Sequence, residues 1–134
     1  MRKLTAVKLS LMALLAIGAG CTQEASVKEV SFKNDVFPVF QARCMTCHAP
    51  GSPGCVVSGF SVATYDSLMK GTKFGPMIIP GSSSDSNLLT LVKHQADPSI
   101  GMPRSLTPGK PSEWLKPDQI NLIETWINQG AKNN

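Results

Sequence analysis

The stretch Cys44-Met45-Thr46-Cys47-His48 determines how the rest of the chain is interpreted. Two thiols stand three positions apart, and an imidazole follows directly, near the end of a predicted helix. At this spacing both sulfurs can reach the two vinyl groups of one haem and form thioethers, while the adjacent histidine lies under the iron. The motif therefore predicts one covalent haem c, attached at Cys44 and Cys47, with His48 as the proximal iron ligand.

Two other uses of these cysteines remain open. A redox C-x-x-C pair of the thioredoxin type expects a βαβ context, which the residues before the motif do not offer. A structural zinc site needs three cysteines and one histidine in a tetrahedral set. The candidates for that set are Cys44, Cys47, Cys55 and either His48 or His94. Haem is favoured because adjacent Cys47 and His48 would be awkward ligands of one zinc ion.

The opening segment has the layout of a secretory signal. Arg2, Lys3 and Lys8 precede an apolar run over 9–17, and small residues lead to Cys21. A bilayer-spanning helix needs roughly 20 apolar residues, so this run favours a removable signal over a permanent span. Export agrees with the motif, because c-type haem is attached on the far side of the membrane.

The end of the signal resembles the bacterial lipoprotein box. Ala19, Gly20 and Cys21 fit the box, whereas Gly18 stands where such boxes usually have leucine. The resemblance implies cleavage before an acylated Cys21 and a periplasmic protein held on a membrane by lipid. Ordinary cleavage near Ala19 would instead leave Cys21 as a free thiol. The expected segments are residues 1–20 as signal peptide, 21–30 as a flexible tether and 31–134 as one domain.

The charge balance argues against a nucleic-acid partner. The full chain has 13 lysines and arginines against nine acidic residues, a formal charge of +4. Without Arg2, Lys3 and Lys8 ten basic residues remain, so the exported protein carries a charge of +1. Binding to a polyanion requires a strongly basic surface. The expected partners are redox proteins, recognised through local patches.

Apolar spacing predicts an all-α fold of short helices joined by long loops. The predicted helices are 34–46 with Asn34 or Asp35 as N-cap, 64–70, a helix from Asp85 or Ser86 to about His94, and one from Pro117 to Gly130. Proline and glycine make the interval between His48 and Thr64 irregular, and likewise 95–116. Loops of this length in a small domain need something to wrap around.

The sixth iron position determines what the haem does. Met102 lies in the long loop before the rigid Pro103, and can be presented opposite the proximal imidazole, so it is the predicted distal ligand. His94 is the rival and would give a bis-histidine site of lower potential. The loop over 50–54 is expected to offer a carbonyl to the other nitrogen of His48. The remaining methionines beyond the tether are Met45, Met69 and Met77, which suit other roles.

At this point the chain resembles class I cytochrome c domains, and more closely the single-haem cytochrome c domains of planctomycetes, over about 32–131. Besides the haem motif, the matching features are, in order, Val36 and Pro38, Tyr65-Asp66, Leu68-Met69 ahead of Gly71, Ile79-Pro80-Gly81, Ser86 with Leu88, Met102-Pro103, Ile120, Trp126-Ile127 and Gly130-Ala131. The resemblance implies that the first and last helices cross. The expected contacts join Phe37 and Phe40 to Ile123, Trp126 and Ile127. The insert over 51–55 departs from the family pattern.

These observations predict a one-electron carrier rather than an enzyme. A six-coordinate iron changes little on reduction and requires no substrate pocket. A peroxidase of the two-haem type would need a second C-x-x-C-H, whereas this chain has one such motif and two histidines in all. A haem-binding sensor module is the alternative, and ligand binding to the reduced iron would favour it. Cys55 is the thiol left without an assigned role.

Overall fold

The computed structural model describes residues 28–104 and 114–134. Within these ranges the chain is helical, with only isolated bridges in place of strands. The elements are a π-helical turn Phe32–Val36, α1 Phe37–Arg43, α2 Met45–His48, α3 Pro53–Ser58, α4 Tyr65–Lys70, α5 Asn87–Val92 and α6 Pro117–Asn128. The all-α prediction is confirmed. The predicted signal peptide and Cys21 lie outside the described residues, and no helix inside them is long and apolar enough to cross a bilayer.

The first helical segment begins earlier than predicted, and its cap is Ser31. The Ser31 hydroxyl accepts a hydrogen bond from the N–H of Asn34 at 3.1 Å, and the Asp35 carboxylate accepts one from the N–H of Ser31 at 2.9 Å. The prediction of Asn34 or Asp35 as the cap is therefore wrong. Asparagine and aspartate are common N-caps, but here Asn34 and Asp35 each form one hydrogen bond with Ser31, which is the cap.

The predicted continuous helix over 34–46 is also interrupted. Helix α1 ends at Arg43, because Cys44 leaves helical geometry with φ −124° and ψ −30°. Helix α2 then starts at Met45 and contains the four motif residues after Cys44. The break sets α2 apart as a separate short turn.

Helix α3 occupies a segment that was predicted to be irregular. Ser52 precedes Pro53 at the first helical position, and Gly59 follows the helix in left-handed geometry with φ 77°. Proline at the start and glycine after the end are favourable helix boundaries, and they outweigh the glycines and prolines around them. The consequence is a helix that packs against α2 rather than a loose loop.

The other predicted helices are confirmed. Thr64 caps α4, and its side chain accepts a hydrogen bond from the N–H of Ser67 at 3.1 Å. Ser86 precedes α5, and it is fully buried with its hydroxyl donating to the Ser82 carbonyl at 2.7 Å. Helix α6 starts with Pro117 at its first position, as the sequence indicates.

The core forms where α6 meets the N-terminal turn. The ring centroid of Phe32 lies 5.6 Å from that of Phe37 and 5.4 Å from that of Trp126, so Phe32 stands between the two rings. Trp126 is fully buried and its indole N–H donates to the Lys132 carbonyl at 2.9 Å. The same buried cluster contains Phe40, Ile123 and Ile127. The last helix therefore packs against the N-terminal turn through Phe32, which was not predicted, and the crossing of α1 with α6 through Phe37 and Phe40 stays a prediction.

Candidate haem site

Cys44, Cys47 and His48 lie within one helical turn. The carbonyl of Cys44 accepts hydrogen bonds from the N–H of Cys47 at 3.1 Å and from the N–H of His48 at 2.9 Å. All three side chains are half-buried, and both thiols are free. One short turn therefore carries the two sulfurs and the imidazole that covalent haem attachment requires.

The imidazole of His48 is oriented by a backbone carbonyl. Its Nδ1 lies 3.1 Å from the carbonyl oxygen of Phe60, and the two rings meet edge to face with centroids 5.4 Å apart. Because a carbonyl can only accept, this contact requires Nδ1 to carry the proton, which leaves Nε2 with a lone pair. The predicted source of the carbonyl, the loop over 50–54, is wrong, because the chain returns to His48 only after α3.

Helix α3 and the residue before it contact the haem motif. The Ser52 hydroxyl donates to the carbonyls of Cys47 at 2.5 Å and Ala49 at 2.7 Å. A Cβ on Gly54 would lie 2.5 Å from the Cys47 carbonyl oxygen and 3.1 Å from Cε1 of His48. Contacts this close leave no room for a side chain, so the glycine allows α3 to approach the imidazole.

Gly54→Ala is expected to destabilise the haem-loaded protein by about 1–3 kcal/mol, the usual cost of overpacking a close contact. The reason is that the new methyl group must displace either α3 or the His48 ring. Denaturant unfolding followed at the haem absorption measures the change. Val56→Ala on the same helix is the control, because Val56 is 70 % exposed. Equal stability of the two variants would contradict the tight packing at Gly54.

The pKa of the Cys44 thiol is shifted in the opposite direction to that of a redox-active cysteine. Burial raises its pKa to about 12, the neighbouring Arg43 charge lowers it, and Cys47 raises it further. Redox C-x-x-C pairs depend on a cysteine whose pKa is depressed, since the thiolate is the reactive form. A thiol that stays neutral gives no support to the thioredoxin-type alternative.

The zinc alternative also finds no assembled site. Within residues 28–104 and 114–134, no three histidine, cysteine, aspartate or glutamate side chains come together closely enough to hold a metal ion. All five residues considered for a Cys₃His set lie in these ranges. Cys55 is a free, half-buried thiol on α3.

The two candidate distal ligands emerge from the same local structure after α5. The carbonyl of Leu91 accepts hydrogen bonds from the N–H of His94 at 3.1 Å and from the N–H of Met102 at 3.0 Å. Both side chains are half-buried. One carbonyl thus fixes the backbone positions of His94 and Met102 relative to each other.

His94 has an unusual environment. Its backbone is in the left-handed region with φ 53°, and its ring stacks on the Trp114 indole with centroids 3.7 Å apart. Its Nε2 is buried and has no hydrogen-bond partner among the described residues. Desolvation lowers the pKa of His94, so the neutral imidazole is favoured.

These residues fit haem c. Two free thiols and an imidazole with an available Nε2, carried on one turn, match the attachment and proximal donors of a covalent haem. When bound, haem supplies a reversible one-electron couple at its iron. No other group of side chains in the described part of the chain combines these donors.

The fold and this donor set define a small c-type cytochrome domain. The family model of planctomycete cytochrome C matches residues 44–105, and the chain carries a domain of that type, with covalent haem c as its cofactor. Among solved structures, a chain described as Kuenenia stuttgartiensis hydrazine synthase is similar, with a TM-score of 0.51 and 19% identity. The similarity covers 78% of this chain and 16% of that chain, and at this identity it concerns the fold alone. No curated protein matches the sequence.

Three residues around the site were not predicted from the sequence: Gly54, Gly101 and Trp114. Their positions carry partial indications, because Gly54 follows the haem motif closely and Gly101 directly precedes Met102. Trp114 has no such indication. Its stacking on His94 joins residues that are far apart in the sequence, which local sequence does not encode.

Proposed function

We propose that the protein is a lipid-anchored one-electron carrier that works outside the cytoplasm. Cys44 and Cys47 would hold its haem covalently, and His48 and Met102 would bind the iron. The observation that carries this proposal is the hydrogen bond from Nδ1 of His48 to the Phe60 carbonyl, within the turn that bears both thiols. That bond selects the tautomer in which Nε2 can bind iron.

The protein's own residues perform three tasks in this proposal. The Phe60 carbonyl holds the proton of His48 Nδ1, so the imidazole keeps its orientation and no proton need move when an electron does. The Met102 thioether would favour the reduced state of the haem and would exclude other ligands from its iron. Cys44 and Met45 pack against the apolar core, which limits the access of water from that side of the turn.

Visible spectra of the exported protein, oxidised and reduced, together with its intact mass, test the proposal. We expect the sharp reduced bands of a low-spin haem and an added mass of one haem. The host must be competent for cytochrome maturation. Colourless protein of unmodified mass from such a host would contradict haem attachment.

We propose further that Cys21 carries the lipid. The support is the sequence alone: a short signal followed by small residues and a cysteine. Cys21→Ser is expected to move the haem protein from the membrane fraction to the soluble periplasmic fraction, while Cys55→Ser leaves it with the membrane. Mass spectrometry of the mature N-terminus measures the modification directly. Membrane association that survives Cys21→Ser would contradict a lipid at this position.

A second candidate function is that of an electron-transfer subunit within a larger oxidoreductase. The supporting observation is the fold likeness to a hydrazine synthase chain, of which this domain corresponds to 16%. A subunit should co-purify in a stable complex of defined mass after gentle solubilisation, whereas a diffusing carrier should elute alone. Size-exclusion chromatography with light scattering separates the two.

A further inference from the structure

We infer that Trp114 and His94 form a clasp that positions Met102 for iron binding. This inference rests on the proposed function, because it assumes that Met102 is the distal ligand. The clasp is defined as the stacked pair of the Trp114 indole and the His94 imidazole, with ring centroids 3.7 Å apart and planes inclined by 21°.

The first argument is that the Trp114 indole is the contact that holds the His94 ring. The backbone of His94 lies at the left-handed end of α5, with φ 53°, where the N–H groups of His94 and Gln95 donate to the carbonyls of Leu91 and Thr90. These hydrogen bonds hold the backbone in the usual way for a helix end. The stacked indole covers the ring face, so its removal frees the ring to turn while the backbone stays in place.

The second argument is that the His94 ring lies directly against the residue before Met102. A Cβ on Gly101 would be 2.7 Å from Nδ1 of His94, so the Gly101 backbone touches the imidazole edge. The Leu91 carbonyl binds the N–H groups of both His94 and Met102. A shift of the His94 ring therefore reaches the backbone of Met102 through the contact with Gly101. The shared Leu91 carbonyl ties the two backbones together as well.

The third argument is that Trp114 is itself anchored to the haem-bearing part of the chain. The Arg43 guanidinium donates to the Trp114 carbonyl at 2.9 Å, and Arg43 directly precedes Cys44. The next residue after the indole, Leu115, is buried in the core. The clasp therefore links Arg43, which stands next to the first attachment cysteine, to the segment that carries Met102.

The clasp also gives His94 a role other than that of an iron ligand. One face of its ring is covered by Trp114 and its Nδ1 edge by Gly101, so the imidazole acts as a spacer. Its Nε2 remains buried without a partner in the described chain. Opening the clasp should free this nitrogen to compete with Met102.

The test uses haem-loaded Trp114→Ala and Trp114→Phe. The readout is the methionine-to-iron charge-transfer absorption of the oxidised protein, whose loss reports displacement of Met102 whichever group replaces it. In Trp114→Ala we expect the fraction of methionine-free iron to rise about three- to tenfold, the range for losing one aromatic stack. Trp114→Phe should keep the wild-type fraction because a phenyl ring preserves the stack.

Two further variants separate positioning from general stability. Gly101→Ala presses on the clasp from the methionine side and should raise the methionine-free fraction in the same direction as Trp114→Ala. Trp126→Phe is the control, because Trp126 is fully buried and its loss removes the bond to the Lys132 carbonyl. It should lower the melting temperature without changing the charge-transfer absorption.

The outcomes distinguish the clasp from the proposed ligation. If Met102→Ala leaves the charge-transfer absorption unchanged, Met102 is not the ligand and the proposed function fails. If Met102→Ala removes the absorption while Trp114→Ala and Gly101→Ala do not change it, the clasp alone is refuted. An equal loss in Trp126→Phe would also refute it, because the effect would then follow stability rather than position.

Discussion

Protein in which Cys44→Ala and Cys47→Ala are combined is expected to contain no covalent haem and to lose its cooperative unfolding transition. Each thioether replaces a weak association by a covalent one, so removing both leaves only the proposed iron ligands, His48 and Met102, to hold the group. A domain of about 100 residues buries a limited share of its apolar surface, and its total stability is about 5–15 kcal/mol. Haem binding is coupled to folding, so losing the haem removes its binding free energy from the stability of the folded state.

The structural reason lies in the loops around the site. The stretch over 95–104 contains no regular helix or strand, and several of its residues are exposed. Its backbone hydrogen bonds are few, so we expect apolar contact with the haem to hold this segment in place. Circular dichroism in the far ultraviolet and the near ultraviolet, followed with temperature, measures the loss of order.

Cys55→Ala is the matched control for the double variant. Cys55 lies on α3, outside the haem motif, and is also a free thiol in the described structure. It should retain haem and a sharp melting transition. A native-like transition in the double variant would mean that the polypeptide core alone specifies the fold, contrary to the expectation.

The helices that were predicted correctly include α4 and α6, whose starts are encoded by nearby residues. Helix α6 has Pro117 at its first position, and the side chain of Gln119 accepts a hydrogen bond from the N–H of Lys116 at 3.0 Å. Thr64 and Ser67 exchange hydrogen bonds at the start of α4 in the same way. These signals act within four residues, so single-sequence reasoning can find them.

Features that depend on distant contacts were missed or misplaced. The carbonyl that contacts Nδ1 of His48 belongs to Phe60, which follows α3 in the chain. Helix α3 itself was not predicted. The Trp114–His94 stack joins segments on either side of a long loop. For the site, the motif identifies the candidate donors, whereas the residues that orient them become visible only in the folded chain.

Met102→Ala is expected to lower the midpoint potential by roughly 100 mV or more and to open the reduced iron to carbon monoxide. A thioether stabilises the reduced state and occupies the sixth position, and alanine can do neither. Redox titration and carbon monoxide difference spectra measure the two effects. The result depends on the position of Met102 after α5, where its N–H is bound to the Leu91 carbonyl at 3.0 Å.

Met77→Leu is the control for this substitution, because Met77 is buried in the core and leucine conserves its volume. It should leave the potential and the carbon monoxide response unchanged. If Met102→Ala instead leaves the oxidised spectrum as it was, the distal ligand is His94 or Met77. A lowered potential without carbon monoxide binding would mean that His94 replaces the missing thioether, because a second imidazole keeps the iron six-coordinate at a lower potential.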